Sequence, residues 1–311
     1  MGVKRTLALL LAILLVLLPG CEKKGEMGGN LGQGGGSQKP SSSSQTADPD
    51  WPVRIGETDI PSAPQKVVSL SPGATEMLFA MGLGSRVVGV SSYCDYPSAE
   101  VEKRHRCGTV LAPDVERIRS QGADLVVASA KLTEKDLIRF QQLEIPVLVL
   151  ERAETLEELR QNYLDLALAL MGSTAGKNHG EGYWEELTGM IEEGASAGDT
   201  APKAILLRQM GYGMATGDTF EGALLEELGF VNDAKAYTGW LYDRANVAAL
   251  EPDVIFADTS ISVDAVKKSV IYQPVAAVKN DKVMNVDFTV FERQSPRMFE
   301  TLREMGKFGH S

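Results

Sequence analysis

Short, uninterrupted apolar runs recur along this chain with helical segments between them, and that alternation limits the fold more than any other feature. Residues 66–70 (KVVSL), 87–90 (VVGV), 123–128 (ADLVVA) and 146–150 (PVLVL) form one series; 204–207 (AILL), 254–257 (VIFA) and 283–286 (VMNV) form another. A strand that is apolar throughout, rather than at every second residue, is covered on both faces. The residues between the runs read as helices: 75–81 with Glu76 in its first turn, a segment entered from Leu111-Ala-Pro-Asp, 132–142, 220–228 and the tail 297–305. Strands alternating with helices imply a parallel α/β architecture.

The pattern changes from residue 155. Leu156, Leu159 and Tyr163 step by three and four along a long helical stretch that ends at Gly172, as one buried helix face should. A second helical stretch follows at 183–191. The glycine-rich turn at 172–177 reads as a helix end, not a phosphate loop, since Asn178 stands where the hydroxyl would be. Before and after this region the chain echoes itself: a helix end, a turn and an Asp precede an apolar strand at both Asp124 and Asp253. Two similar lobes bridged by one helical segment follow, and the cleft between them is the natural place for a ligand.

The N-terminus carries an address. Lys4 and Arg5 precede the apolar run of residues 6–18, and Pro19-Gly-Cys21 closes it. The run is well short of the roughly 20 residues a membrane-spanning helix needs, so it reads as an export signal. Leu18-Pro-Gly-Cys21 resembles the lipobox of bacterial lipoproteins, which implies that Cys21 is the first mature residue and carries the lipid. Residues 22–50 are rich in Gly and Ser with no apolar periodicity, and read as a flexible tether. The domain expectation is therefore signal 1–20, lipid-anchored tether 21–50, first α/β lobe 51–152, connecting helix 153–178 and second lobe 179–311. The folded part works outside the cytoplasm, on the periplasmic side or at the cell surface.

The net charge of −11 argues against nucleic acid and against docking on anionic lipid through basic patches. Beyond Cys21 the chain has two cysteines, Cys94 and Cys107, an even pair suited to a disulfide in an oxidising compartment. With His105, His179 and His310 as its histidines, it has no second metal-ligand pair at zinc spacing. No G-x-S-x-G elbow and no H-E-x-x-H occurs, so no enzyme is expected. What the loops do offer is aromatic: Tyr93, Tyr96, Tyr212, Tyr237, Trp240, Tyr242 and Phe291. Aromatics beside strand ends can enclose a planar ligand, or each can plug the core of its own lobe. Trp240, next to a glycine, favours contact. Arg208 follows the run AILL and could meet an anion.

Several of these pieces resemble one family. Val67-Val-Ser-Leu-Ser-Pro-Gly-Ala-Thr-Glu76, Tyr93-Cys-Asp-Tyr-Pro97, Gly217-Asp-Thr-Phe-Glu-Gly-Ala-Leu-Leu-Glu-Glu-Leu-Gly229 and Leu250-Glu-Pro-Asp-Val-Ile-Phe256 are similar to the periplasmic binding proteins that serve iron-siderophore, haem and vitamin B12 importers. The cobalamin branch is the most similar, through Tyr93 to Pro97. The resemblance implies two Rossmann-like lobes joined by a single long rigid helix, and little closure on binding. It implies a monomer with no intrinsic cofactor that captures a metal chelate and passes it to an ABC-type permease and its ATPase. It also implies one docking glutamate on each lobe, Glu76 and Glu226, with Glu227 a close second. Tyr93 or Tyr96, together with Trp240, would flank a corrinoid ligand. Arg208, Tyr212 and Tyr242 complete the candidate ligand set. Haem or a ferric siderophore is the alternative ligand, and a surface-anchored structural or signalling protein is the alternative of another class.

Overall fold

The computed structural model describes residues 49–195, 201–209, 213–240 and 243–311. Cys21, the signal and nearly all of the expected tether lie outside the described residues, as do Tyr212 and Tyr242.

The first series of apolar runs forms one parallel sheet. Its strands are β1 (Val67–Ser69), β2 (Val87–Val90), β3 (His105–Arg106), β4 (Leu125–Ala128) and β5 (Val147–Val149), in the spatial order β3-β2-β1-β4-β5. The second series forms a second sheet from β6 (Lys203–Gln209), β7 (Gly213–Met214), β8 (Val231–Asn232), β9 (Val254–Asp258) and β10 (Val283–Val286). Its order is β7-β6-β9-β10, with β8 also parallel to β6 and only β7 antiparallel.

Both sheets are covered on both faces, which is why the strands lack polar alternation. Val67, Leu125 and Val127 join one core cluster, whereas their neighbours Val68, Val126 and Ala128 join another. Ala204, Leu206, Val254 and Phe256 belong to that first cluster too, and Ile205, Leu207, Ile255 and Ala257 to a third. One continuous core therefore reaches from the first sheet to the second.

Helices carry that core across. Helix α1 (Pro72–Ala80) follows β1, with Ser71 as its cap and Pro72 in its first turn. Short helices α2 (Val115–Ser120) and α3 (Glu134–Gln142) cover the other face. The bridge is α4 (Leu156–Met171) and then α5 (Ser173–Gly194). Thr155 caps α4 by accepting from the Glu158 amide, and Gly172 ends it at φ +86°. The connecting region is thus two successive helices that turn at Gly172. Leu159 and Tyr163 are fully buried on the α4 face, as their spacing requires. Helix α6 (Phe220–Glu227) enters the second sheet, and α7 (Thr289–Arg293) and α8 (Pro296–His310) close the chain. Met298, Phe299 and Leu302 of α8 pack into the core beside Trp184 and Leu187 of α5.

The expected Cys94–Cys107 disulfide does not form. Both thiols are free and buried. Cys94 lies in the core cluster shared by the two sheets, and Cys107 in the cluster on the other face of the first sheet. A sheet therefore separates the two sulfurs. Burial pushes the Cys94 thiol up and the Cys107 thiol up to about 11, so both remain protonated at neutral pH.

Candidate functional site

In an open parallel sheet, ligands bind outside the carboxyl ends of the strands, where the chain leaves a central strand in opposite directions. Here β1 is that strand, with β2 on one side and β4 on the other. The residues at these ends line a cavity of about 330 Å³: Ser71, Pro72 and Gly73 after β1, Tyr93 after β2, Ser129 after β4, and Leu150 and Glu151 after β5. The second sheet opens onto a cavity of about 580 Å³, lined by Arg208 near the end of β6, Asp218 to Glu221 at the entry to α6, and Gly239 and Trp240. Arg152 and Glu292 line both cavities, so the two form one cleft. A larger hollow of about 870 Å³ lies against the Val53–Ile60 hairpin, α3 and the edge strand β5. The cleft is the better candidate because loops from both sheets converge on it with aromatic and charged groups.

Trp240 is held by its backbone. Its φ of +63° is rare for a bulky residue, and Gly239 before it has φ +68°. Asp218 secures this loop: its carboxylate accepts from the Gly239 amide at 2.9 Å and from the Thr216 hydroxyl at 2.6 Å. The Trp240 amide in turn donates to Thr216 Oγ1 at 3.2 Å. The Thr216 hydroxyl and then the Gly239 amide hold the Asp218 carboxyl below the ordinary 3.8. The indole meets Phe288 edge-on at 5.6 Å. The Arg208 guanidinium lies 5.7 Å from the Trp240 centroid and 5.2 Å from that of Phe288.

The cleft arginines are paired. Arg152 donates to Glu221 at 2.6 Å, where the glutamate side chain is almost wholly buried. Arg208 pairs with Glu292. Arg293 donates to Glu76 at 2.8 Å and to both oxygens of Asp95. The Arg293 guanidinium holds the Asp95 carboxyl below its usual range. Next to it, Gln294 binds the Ala153 backbone twice, at 2.8 and 2.7 Å.

The structure brings Tyr93, Arg208 and Trp240 to the cleft. Tyr96 lines neither cavity; its ring sits 4.3 Å under the Arg297 guanidinium. Phe291 is core, fully buried, and Tyr237 packs against the third core cluster. Glu226 is exposed on α6 and pairs with Lys235 at 2.6 Å. Glu76 is not the surface acid expected of a docking residue. Helix α1 begins at Pro72, earlier than the sequence suggests, which sets Glu76 a full turn inside the helix and 3% exposed. Arg293 and Arg297 close over it, Arg297 donating at 2.8 and 2.6 Å. Sequence reasoning missed Arg152, Glu221, Glu292 and Arg293. No local pattern marks them, because their partners lie 69 to 217 positions away. Asp218 did carry a signal, an acid directly before a helix cap and beside glycine.

A model of the periplasmic binding protein family matches residues 67–289. An uncharacterized ABC transporter substrate-binding lipoprotein of Bacillus subtilis (strain 168) is 28% identical over 318 residues, spanning 96% of this chain and 94% of its own. A vitamin B12-binding protein of Vibrio parahaemolyticus is 24% identical over 249 residues, 78% of this chain and 88% of its own. Among solved structures, the periplasmic heme-binding protein of Vibrio cholerae superposes with a TM-score of 0.68 at 16% identity, over 79% of this chain and 99% of that one. At that identity the likeness speaks to the fold.

Proposed function

Since the chain belongs to the periplasmic binding protein family, we propose that it is the solute-binding component of an ABC importer and that its solute is a corrinoid-like metal chelate. The observation that carries this reading is the cleft at the carboxyl ends of two parallel sheets, with Tyr93 on one wall and Trp240 on the other. Two aromatic side chains lining one cleft can cover apolar faces of a broad, flat chelate, while the polar groups around them orient its edges. The relative named as a substrate-binding lipoprotein supports the transport role and a lipid anchor at Cys21. The vitamin B12-binding relative supports the ligand. The partners are then a permease with its ATPase. Glu226, exposed on the second lobe, is the docking acid on that side; an exposed charge at a transient interface steers the encounter.

Titrating the full chain in detergent with cyanocobalamin, dicyanocobinamide, haem and a ferric hydroxamate tests the ligand. Corrinoid at a hundredfold excess over Kd is expected to stabilise the fold by about 2.7 kcal/mol, read as a rise in Tm. Stabilisation by haem alone would reassign the ligand to haem, and no response to any of the four would remove the transport reading.

A further inference from the structure

Among the described residues, every arginine that lines the cleft already has a carboxylate. Arg152 is matched by Glu221, Arg208 by Glu292, and Arg293 by Glu76 and Asp95. The cleft carries further acids beyond these pairs. Glu151 and Glu154 line it as exposed side chains, and neither forms an ion pair among the described residues. Asp218 adds its charge while holding the Trp240 loop. Among the described residues, the lining of the cleft is thus net negative, and each guanidinium in it is already paired.

We infer that this cleft selects chelates whose rim is uncharged or positive, and disfavours those that carry carboxylates. The inference rests on the proposed role of the cleft and narrows its ligand class. A like charge brought into a partly desolvated cleft loses hydration and gains repulsion from fixed acids. A rim of primary amides meets neither cost. Its N–H groups can donate to carboxylates such as Glu154 and Glu292, and its carbonyls can accept from the outer N–H groups of Arg152 and Arg208. The same argument sets an amide-bearing corrinoid above haem, which presents two carboxylates. An arginine freed to receive an anion would leave a carboxylate behind. Glu221 shows why that exchange is unfavourable, since its side chain is 3% exposed and would be buried without its cation.

Three matched pairs of probes test the inference on the full chain in detergent, by quenching of tryptophan fluorescence. They are cyanocobalamin against its monocarboxylic acid, haem dimethyl ester against haem, and cationic ferrioxamine B against an anionic ferric catecholate. In each pair that binds, the uncharged or cationic member should be favoured by about tenfold or more. The ratio should shrink as salt is raised, and Glu154→Gln should narrow it too. If corrinoids fail to bind while the ester still outbinds haem, the charge rule stands and the corrinoid assignment falls. Equal affinities within the pairs, tighter binding of the anionic members, or no binding by any uncharged or cationic probe would each overturn the inference.

Discussion

Asp218 shows how one side chain can set a binding surface through its neighbour. Its carboxylate ties down Gly239 and Thr216, and Thr216 ties down Trp240. Asp218→Asn is expected to weaken corrinoid binding several-fold through the loss of indole placement, and Trp240→Ala by about tenfold. Fluorescence titration and the near-ultraviolet circular dichroism of the indole check both. The pH sign follows from the lowered carboxyl. The anion is favoured in the folded state, so its contribution is complete above the ordinary 3.8 and fades as pH falls through the lower folded value. Affinity should be level between pH 8 and 5 with respect to Asp218 and decline only in stronger acid. A decline between pH 7 and 5 would implicate another group. At this scale the sequence singles out Trp240 as a candidate, an aromatic beside a loop glycine. It was not legible for Glu76. An acid one turn into a helix looks the same whether water or two distant arginines cover it.

The bridging helices depend on the absence of side chains where they touch. A Cβ on Gly306 of α8 would lie 2.2 Å from the Gly194 carbonyl oxygen of α5, and backbone atoms there cannot move aside as a flexible side chain could. Gly306→Ala should therefore destabilise the protein by about 1–3 kcal/mol, even though alanine favours a helix interior by about 1 kcal/mol. Gly182→Ala on α5 is the control. Nothing lies within 4 Å of its Cβ position, so helix propensity should dominate and stability should rise slightly. Denaturant midpoints for the two variants should move in opposite directions; two rises would show that α5 and α8 have room between them. Gly172 serves differently, by adopting the positive φ that lets α4 end and α5 begin at once. Its role as a helix end was readable from the sequence. The turn that folds α5 back on α4 was not, because it depends on how the two apolar faces pack.

Across the whole molecule, the segment Glu292-Arg293-Gln294 is the point where distant parts meet. Glu292 reaches Arg208 on the second sheet, Arg293 reaches Glu76 and Asp95 after strands of the first, and Gln294 holds the entry to the helical bridge at Ala153. These ties cross the cleft floor and oppose hinge opening. Replacing Glu76 by Gln would leave Arg297 without a carboxylate and Arg293 with Asp95 alone. Breaking a buried pair from one side costs about 3 kcal/mol, so the variant should unfold at markedly lower denaturant. It should also scatter X-rays as a more open particle. An unchanged midpoint and scattering curve would mean that this cluster does not hold the lobes.

The sequence by itself determined the two parallel sheets, the helical bridge and the aromatic and cationic candidates Trp240, Tyr93 and Arg208. Those features rest on local rules: an all-apolar strand must be covered on both faces, and a three-four spacing must bury one helix face. Only the tertiary structure decided which charges survive as free charges. It buried Glu76 beneath two arginines, gave each cleft arginine a carboxylate, and set Cys94 and Cys107 on opposite faces of one sheet. The reason is physical. Desolvation and ion pairing are settled by groups far apart in the chain and close in space, and no window of sequence contains both partners.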